Sequence, residues 1–392
     1  MEGQKEHSAI EEDERFMDRA LALAKRGFGR VNPNPLVGAV ITLDGQIVGE
    51  GWHAAFGGPH AEREALSHCG DRSLVGSTIY VTLEPCCHQG KTPPCTEAII
   101  AAGISRVVVG CLDPNPLVSG KGIARLKDAG IDVLVGVREA ECRLLNRAFF
   151  RYTTSKKPFV ILKYAMTIDG KVATVSGKSR WITSEAARRR VHEDRLRYAA
   201  VMVGLGTALS DDPSLTCRLD AAEYGRDDPV GYALRAARTA GAGDPVRIVC
   251  DTRLRLPLDS TLVRTATEVD VLIATCDDDP RRHEPYLERG CSVVVLPERD
   301  GHVDFSALVV ELGARGIDSV VVEGGPHLAW AAVQSGSVDL LQAYVAPCLF
   351  GGEGAPSPVA GDGVDDPIEA LRLSSPRITR LGDDLLLECE VV

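Results

Sequence analysis

Three side chains in the first third of this chain have the types and positions expected of metal ligands. His60 follows a Gly-Gly-Pro turn and should open a helix, while Cys86 and Cys95 each follow a proline beyond a predicted strand. One imidazole and two thiolates at helix starts suit a catalytic zinc ion that keeps a fourth position open for water. Helix N-termini also favour the thiolate form of cysteine. Cys87 is a competing ligand, although we expect it to be a small buried residue.

Glu62 lies two residues after His60 and is the carboxylate that a catalytic site of this kind needs. Zinc makes its bound water acidic enough to supply hydroxide near neutral pH. A carboxylate that is not itself a ligand can take the proton and pass it to departing ammonia. The alternatives are a structural zinc site or ordinary buried thiols, but a structural site usually has four protein ligands and does not need Glu62. We therefore predict a zinc-dependent hydrolytic deaminase with one zinc ion per chain.

The composition argues against several other classes of protein. The formal net charge of −11 disfavours a nucleic-acid partner, because such binders usually carry a basic surface. No run of about 18 apolar residues is present and the first residues are charged, so we expect no membrane partner, no secretory signal and a cytoplasmic location. The 12 cysteines are scattered, which argues against a disulfide framework.

The elements that must position these residues alternate between strands and helices. At 392 residues the chain is long enough for two domains, and the alternation predicts an α/β fold in each. Asp44-Gly45 between two apolar runs predicts a hairpin. In the N-terminal part we predict strands at 37–42, 46–51, 78–83, 106–110 and 131–135, and helices through 16–24, from 61, at 96–102, at 122–129 and through 144–150.

A polar stretch at 153–158, ending in proline, is the predicted boundary between a domain of residues 1–152 and one of residues 159–392. A second α/β series follows, and residues 220–244, rich in Ala, Gly, Arg and Asp, are interpreted as a mobile insertion. In this part we predict strands at 159–163, 200–203, 246–250, 269–274, 292–296 and 319–322, and a late antiparallel pair at 338–345 and 385–391.

The N-terminal motifs resemble the cytidine-deaminase superfamily. His60-Ala61-Glu62 and the segment PCCHQGKTPPC at 85–95 are similar, within it, to the deaminase domain of bifunctional riboflavin-biosynthesis deaminase–reductases, which also place eight residues between the two cysteines. The segments NPNPLVG at 32–38 and DPNP at 113–116 match the same pattern. The residue after the first cysteine is usually Ser in that family and is Cys87 here.

This resemblance implies a three-layer cytidine-deaminase-like domain that deaminates 2,5-diamino-6-ribosylamino-4(3H)-pyrimidinone 5′-phosphate. By the match of motifs, Asn34 would hold the pyrimidine, His53 would contact the substrate and Lys91 would meet its phosphate. A deaminase acting on nucleic-acid bases is the alternative enzyme, and the acidic charge weighs against it. The non-enzymatic alternative combines a structural zinc site with a ligand-sensing second half.

The second half resembles the reductase domain of the same family. The matching segments are KYAMTIDG at 163–170, SRWIT at 179–183, DDPSLT at 211–216 and EGGP at 323–326. No GxGxxG follows a strand, so the ordinary dinucleotide fingerprint is absent. The glycine turn after the strand at 319–322 could instead bring backbone N–H groups close to a phosphate. The resemblance implies a dihydrofolate-reductase-like fold that uses NADPH to reduce the ribosyl group to ribityl.

Site residues of the reductase half follow from the same match of motifs. The residues implied for NADPH are Ala165, Trp181, Thr207, Asp211, Thr252, Gly325, Pro326 and His327. Those implied for the substrate are Ser179, Arg195, Leu215, Arg218 and Glu323, with the two arginines suited to its phosphate. Lys163 and Asp169 are candidates for the proton donor. Arg253 or Arg255, just after a predicted strand, is our hypothesis for the 2′-phosphate contact. We also expect a homo-oligomer.

Overall fold

The computed structural model describes residues 2–88, 93–116 and 118–392, with backbone only for 2–8. The chain forms two compact units: the part up to Ser155 with Asp220–Ala242, and Lys156–Leu219 with Gly243–Val392. We call them unit 1 and unit 2. Across the described ranges, no helix combines the length and apolar character needed to cross a lipid bilayer.

The regular elements are numbered along the chain. The helices are α1 (Glu2–Ala24), α2 (Ala61–Ser67), α3 (Cys95–Ala101), α4 (Lys121–Asp128), α5 (Glu139–Leu145), α6 (Arg147–Ser155), α7 (Glu185–Arg197), α8 (Leu205–Asp211), α9 (Pro229–Thr239), α10 (Thr261–Arg264), α11 (Pro280–Leu287), α12 (Phe305–Ala314) and α13 (Pro326–Gln334). The strands are β1 (Gly38–Leu43), β2 (Gln46–Trp52), β3 (Thr78–Leu83), β4 (Arg106–Cys111), β5 (Asp132–Val135), β6 (Phe159–Thr167), β7 (Ala200–Gly204), β8 (Val246–Cys250), β9 (Val271–Thr275), β10 (Ser292–Val295), β11 (Glu298–Arg299), β12 (His302–Val303), β13 (Ser319–Gly324), β14 (Leu340–Ala346), β15 (Arg377–Leu381) and β16 (Asp384–Glu390).

Unit 1 is a five-stranded sheet of order β2-β1-β3-β4-β5 with helices on both faces. Strand β1 is antiparallel to β2 and β3, whereas β3, β4 and β5 are parallel. Asp44 and Gly45 both have positive φ, as a two-residue hairpin turn requires, which confirms the predicted hairpin. Side chains alternate across the sheet: Ile79 belongs to the core shared with α2, α3 and α4, whereas Tyr80 packs on Phe16 of α1.

Helix α2 carries His60 at its start and lies unusually close to strand β2. A Cβ atom added at Gly51 would lie 2.3 Å from the backbone nitrogen of Ala65 and 2.4 Å from the carbonyl oxygen of Ala61. Any larger side chain at position 51 would therefore push the helix away from the sheet. This close approach fixes the distance between the sheet and the first turn of α2, where His60 and Glu62 lie.

Segment 220–242 belongs to unit 1, whereas residues 220–244 were expected to be a mobile insertion of the C-terminal half. It contains helix α9, capped by Asp228, whose carboxylate accepts the backbone N–H of Gly231. The side chains of Leu234 and Ala237 are buried. Arg26 lies between two rings of this unit, 4.9 Å from that of Trp52 and 4.8 Å from that of Tyr232. The helix escaped prediction because its apolar face is mostly alanine, which gives a weak periodic signal.

Unit 2 is built on a nine-stranded sheet of order β10-β9-β8-β7-β13-β6-β14-β16-β15. The first seven strands are parallel, and β16 and β15 complete the edge in antiparallel fashion. Successive residues of β7 face opposite cores: Met202 packs with α12 and α13, and Val201 with α8, α10 and α11. The predicted pair of late antiparallel strands is present as β14 and β16. The predicted helix through 144–150 is instead two helices, α5 and α6.

Candidate active sites

Among the described residues, His60, Cys86 and Cys95 form a cluster that could hold a metal ion, with their ligand atoms all within 4.8 Å of one another. The Nδ1 atom of His60 is 3.5 Å from the Sγ atom of Cys86 and 3.3 Å from that of Cys95. A tetrahedral zinc ion places an imidazole nitrogen and a thiolate sulfur about 3.6 Å apart. The donor set and its spacing therefore fit zinc. Cys87 lies outside this cluster.

The local fold explains why these three residues meet. His60 is the N-cap of α2, and its carbonyl oxygen accepts the N–H of Glu64. Cys95 is the first residue of α3, and its backbone N–H donates to the Cys86 sulfur at 3.3 Å. Hydrogen bonds from the thiol and the amide of Cys95, with His60, lower the pKa of Cys86 to about 4 despite burial. Two helix starts thus favour a thiolate at the cluster.

Glu62 lies in the first turn of α2 and its side chain is buried beside the cluster. Burial raises the pKa of its carboxyl group, while the neighbouring His60 opposes that change. A hydrogen bond from the Cys95 thiol also opposes the rise in this pKa, more weakly than His60 does. A carboxyl group with a raised pKa, held next to three possible metal ligands, is placed to take up and release a proton there.

Asn34 contacts His53, and the His53 ring in turn contacts His60 of the cluster. The Asn34 Nδ2 atom lies 3.1 Å from the His53 Nε2 atom, and the His53 Nδ1 atom lies 2.9 Å from the carbonyl oxygen of Pro59. The His53 and His60 rings meet edge to face at 5.8 Å. The Pro59 carbonyl can only accept, so Nδ1 carries a hydrogen, and Nε2 accepts from the Asn34 amide, which is the arrangement of a neutral ring. Burial lowers the pKa of His53 in the same direction. Lys91 lies outside the described residues.

Glu84 is a buried residue that no sequence motif indicates. Its carboxylate accepts backbone N–H groups from Asp113, Gly120, Gly122 and Ile123 at 2.9 to 3.3 Å. These bonds attach the start of α4 and the loop before it to the residue that precedes Pro85-Cys86. The available signal was an acidic residue directly after the apolar strand β3, where an unpaired carboxylate would be costly.

In unit 2, the residues predicted for the cofactor follow the carboxyl ends of neighbouring parallel strands. Ala165 lies near the end of β6, Thr207 follows β7, Thr252 follows β8 and Gly325 follows β13. In open parallel sheets, ligands bind in the crevice beyond the carboxyl ends of the strands. The glycine turn is tight at Gly324, where a Cβ atom would lie 3.0 Å from the Thr207 hydroxyl oxygen, and Gly325 has a φ of +93°, which favours glycine. Backbone can therefore approach a phosphate group here, which fits a nicotinamide dinucleotide.

The other predicted cofactor residues lie nearer the surface. Trp181 is 68% exposed, with the Arg188 guanidinium 4.5 Å from its ring, so it is not a core aromatic. Arg180 donates to the backbone oxygen of Asp211 at 2.7 Å, which links the segments of Trp181 and Asp211. Pro326 and His327 form the first turn of α13.

Arg195 and Glu323, both predicted to contact substrate, form a buried bidentate ion pair. The two nitrogen–oxygen distances are 2.8 and 2.7 Å, and the side chains are 11% and 6% exposed. Burial would raise the pKa of Glu323, but the charge and hydrogen bonds of Arg195 lower it to about 2. Lys163 is nearby, and burial lowers the pKa of its amine. Glu323 is therefore ionised, and Arg195 is already paired before any ligand binds.

Arg218 lies beside this pair at a more exposed position. Its backbone N–H donates to the His192 Nδ1 atom, and its guanidinium bonds to Ser214. Burial, with the charges of Arg195 and Arg218, lowers the pKa of His192 to about 4, so this histidine is neutral. Two arginines and a neutral histidine thus share one region.

Three further predicted residues are placed differently. Leu215 is buried in the core with β7 and has a positive φ of 55°, so its side chain packs in that core and does not face a ligand. Ser179 is half-buried next to the exposed Arg180–Trp181 segment. Asp169, a candidate proton donor, is exposed and accepts the N–H of Gly351 at 2.8 Å.

Two family models match this chain. One, described as the cytidine and deoxycytidylate deaminase zinc-binding region, matches residues 10–111. The other, described as the RibD C-terminal domain, matches residues 158–387. The first range contains the metal cluster and Glu62, and the second contains the Arg195–Glu323 pair.

Curated relatives extend over nearly the whole chain. The riboflavin biosynthesis protein RibD of Actinobacillus pleuropneumoniae is 46% identical over 377 residues, which cover 96% of this chain and 95% of the relative. The RibD of Escherichia coli (strain K12) is 42% identical over 342 residues, with coverages of 87% and 89%.

Solved structures match this chain over nearly its whole length. A diaminohydroxyphosphoribosylaminopyrimidine deaminase/5-amino-6-(5-phosphoribosylamino)uracil reductase from Thermotoga maritima has a TM-score of 0.81 and 37% identity, with 98% of this chain and 100% of that chain covered. A RibD structure from Acinetobacter baumannii has a TM-score of 0.81 and 35% identity, with coverages of 98% and 99%.

Proposed function

This chain belongs to the RibD family, and on that premise we propose that it acts on 2,5-diamino-6-ribosylamino-4(3H)-pyrimidinone 5′-phosphate. Unit 1 deaminates the pyrimidine, and unit 2 then reduces the ribosyl group to ribityl with NADPH. The observation that carries this proposal is the cluster of His60, Cys86 and Cys95 with buried Glu62 beside it. The chain continues into a segment that matches the RibD C-terminal domain.

In the deaminase step, His60, Cys86 and Cys95 would hold one zinc ion, which would lower the pKa of a bound water so that hydroxide is available near neutral pH. Glu62 takes the proton of that water and passes it to the departing ammonia. His53, fixed by Asn34 on one side of its ring and Pro59 on the other, borders the metal cluster. We assign Asn34 and His53 to holding the pyrimidine, and Lys91 to its phosphate.

In the reductase step, the nicotinamide of NADPH would supply the hydride. We assign Arg195, Arg218 and Glu323 to the substrate, together with Ser179 and the backbone of Leu215. Arg218 is the better candidate for the substrate phosphate, since the Arg195 guanidinium is already paired with Glu323. For the cofactor we assign Ala165, Trp181, Thr207, Asp211, Thr252, Gly325, Pro326 and His327.

The test supplies the pyrimidine substrate with NADPH and follows ammonia release and nicotinamide absorbance together. We expect ammonia to be released first, and NADPH to be oxidised only as deaminated pyrimidine accumulates. Already deaminated pyrimidine should be reduced without any release of ammonia. NADPH oxidation without prior ammonia release from the diamino substrate would contradict the proposed order of steps.

The metal assignment has its own test. Elemental analysis should find one zinc per chain, and Cys87→Ser should retain both zinc and deamination because Cys87 lies outside the cluster. Cys95→Ser should lose the metal, since a buried thiolate ligand is removed. Loss of zinc from the Cys87 variant would show that the wrong cysteine had been assigned.

A further inference from the structure

Unit 2 contains a cavity of about 310 Å³ between the β11–β12 hairpin and helix α13. Arg299 and His302 border it from the hairpin, and His327 and Trp330 border it from the helix. Gly361 closes another side, where a Cβ atom would lie 2.0 Å from the Trp330 ring. The cavity lining therefore includes one indole ring together with several nitrogen donors.

The donors are available to a ligand. The imidazole rings of His302 and His327 are nearly parallel, at 25°, with centroids 6.5 Å apart, which is wider than direct stacking. Within the described part of the chain, neither imidazole forms a hydrogen bond to another protein group. The Arg299 guanidinium has a single loose contact, 3.8 Å from the exposed carboxylate of Asp300. Two imidazoles and one guanidinium border the same cavity, and all three can donate hydrogen bonds to a phosphate group.

Acidic groups at the rim do not oppose this assignment strongly. The Asp304 carboxylate is occupied by the backbone N–H groups of Ser306 and Ala307 at the start of α12. Asp300 and Asp362 are exposed, so water screens their charges.

The cavity adjoins the edge of the sheet where the cofactor residues lie. The Val303 N–H at the end of the hairpin donates to the Thr252 hydroxyl at 3.3 Å, which ties the hairpin to the loop after β8. On the other side, His327 lies two residues after Gly325, in the turn that can approach a phosphate. A dinucleotide that contacts Thr252 and Gly325 would thus have this cavity within reach of one end.

We propose that the cavity binds the adenosine 2′-phosphate end of NADPH, with His302, His327 and Arg299 donating to the 2′-phosphate and Trp330 lying against the adenine. This inference rests on the proposed function and adds the residues that distinguish NADPH from NADH. It also replaces the earlier hypothesis of Arg253 and Arg255. Arg253 is paired with Glu298 at 3.0 Å, and neither arginine borders the cavity.

The experiment titrates the full-length protein with two cofactor fragments that lack nicotinamide, adenosine 2′,5′-bisphosphate and adenosine 5′-monophosphate, and with NADPH and NADH. The variants are His302→Ala/His327→Ala and the size-preserving pair His302→Gln/His327→Gln. The Arg253→Ala/Arg255→Ala pair tests the alternative contact. Arg289→Ala, an exposed site on the same unit that borders no cavity residue, is the matched control. Melting temperatures verify that each variant is folded.

We expect both histidine pairs to weaken the bisphosphate and NADPH at least about tenfold, or about 1.4 kcal/mol, and to change the monophosphate and NADH much less. The arginine pair and Arg289→Ala should leave the preference for the bisphosphate unchanged. Equal losses for all four ligands, or no loss in the histidine pairs, would overturn the assignment. Selective loss in the arginine pair would restore the alternative.

These outcomes separate the cavity from the overall activity. If the wild-type protein oxidises NADPH with deaminated pyrimidine but the histidine pairs keep their cofactor preference, only the cavity assignment fails. If the fragments bind as expected but no cofactor is oxidised, the cavity assignment stands and the reductase function fails.

Discussion

Glu62 combines two properties that a proton carrier needs at this site. It lies in the same first turn of α2 that presents His60, and burial raises its pKa towards the range in which protons are exchanged. Glu64 lies in the same turn, but its side chain is 37% exposed and lies 3.9 Å from His68 rather than beside the three possible metal ligands. Comparing these two residues therefore separates the proton-transfer role of Glu62 from the effect of removing one negative charge from the first turn of α2.

Glu62→Gln should lower deamination by at least about 10²-fold, the low end for general acid–base catalysis, because the amide cannot carry the proton. Zinc content and NADPH oxidation with already deaminated pyrimidine should be unchanged. Ammonia release, elemental analysis and nicotinamide absorbance measure the three quantities. Glu64→Gln is the matched control and should behave as wild type. Near-normal deamination in a zinc-replete Glu62→Gln protein would remove Glu62 from the mechanism.

The Arg195–Glu323 pair links a substrate assignment to the stability of unit 2. Glu323 has a folded-state pKa of about 2, whereas an unfolded glutamate has a pKa of about 4.3. A depressed pKa stabilises the fold at pH values above the unfolded value. That contribution is lost as the pH falls from about 4.3 towards 2.

Glu323→Gln should destabilise unit 2 by about 3–5 kcal/mol at pH 7, because Arg195 remains buried without its partner. The variant should also lose less stability than wild type between pH 4.3 and about 2. Calorimetry at several pH values measures both effects, and the transition that NADPH raises identifies unit 2. The control Glu311→Gln breaks a surface pair with Arg315 and should cost less than about 1 kcal/mol. An unchanged acid dependence in Glu323→Gln would contradict the ion-pair account.

At the scale of elements, periodicity and turn chemistry were enough to predict most of both sheets. The family models confirm a cytidine-deaminase-like domain followed by a RibD reductase domain. What could not be predicted depends on contacts between distant segments. Glu84 acquires its role from four backbone amides near residue 120, and the β11–β12 hairpin has strands of two residues, too short to show any period. The roles assigned to individual substrate and cofactor residues remain predictions.

Helix α9 is an element whose contribution to unit 1 can be measured through one ring. Tyr232 meets the Trp52 ring edge to face at 5.2 Å, and both rings flank the Arg26 guanidinium. Trp52 ends β2 and is followed by His53, which borders the metal cluster. The contact therefore supports the end of a strand that carries a candidate substrate residue.

Tyr232→Ala should lower the stability of unit 1 by about 1–2 kcal/mol, through loss of one aromatic pair and one cation–π contact. Tyr232→Phe keeps the ring and should lower the stability of unit 1 much less. The calorimetric transition that zinc removal shifts identifies unit 1. A shift confined to the other transition would mean that α9 stabilises unit 2 instead.

At the scale of the whole molecule, neither unit consists of one continuous stretch of chain. The chain enters unit 2 at Lys156, returns to unit 1 for residues 220–242 and then completes unit 2. Within unit 2, the two points flanking this excursion are close, because the Cys217 N–H donates to the Asp244 carboxylate at 2.7 Å. Unit 2 can therefore be closed by a short linker without the excursion.

Replacing residues 220–242 by a short glycine linker should destabilise unit 1 and leave unit 2 unchanged. Unit 2 should keep its melting temperature and its affinity for NADPH, because its own ends are already held together by the bond between Cys217 and Asp244. Unit 1 should lose at least about 2–5 kcal/mol, the cost of emptying one buried leucine site, because Leu234 leaves with α9.

The matching chain joins residues 1–155 to 220–242 through a flexible Gly/Ser linker, and a plain 1–155 fragment is its control. The joined chain should melt at a higher temperature than the plain fragment and retain more zinc, because α9 again covers Trp52 and Arg26. Calorimetry, zinc content and ammonia release measure the difference. If the plain fragment matched the joined chain in all three, α9 would contribute nothing to unit 1. If the linker replacement abolished NADPH binding, residues 220–242 would have to be assigned to the reductase unit instead.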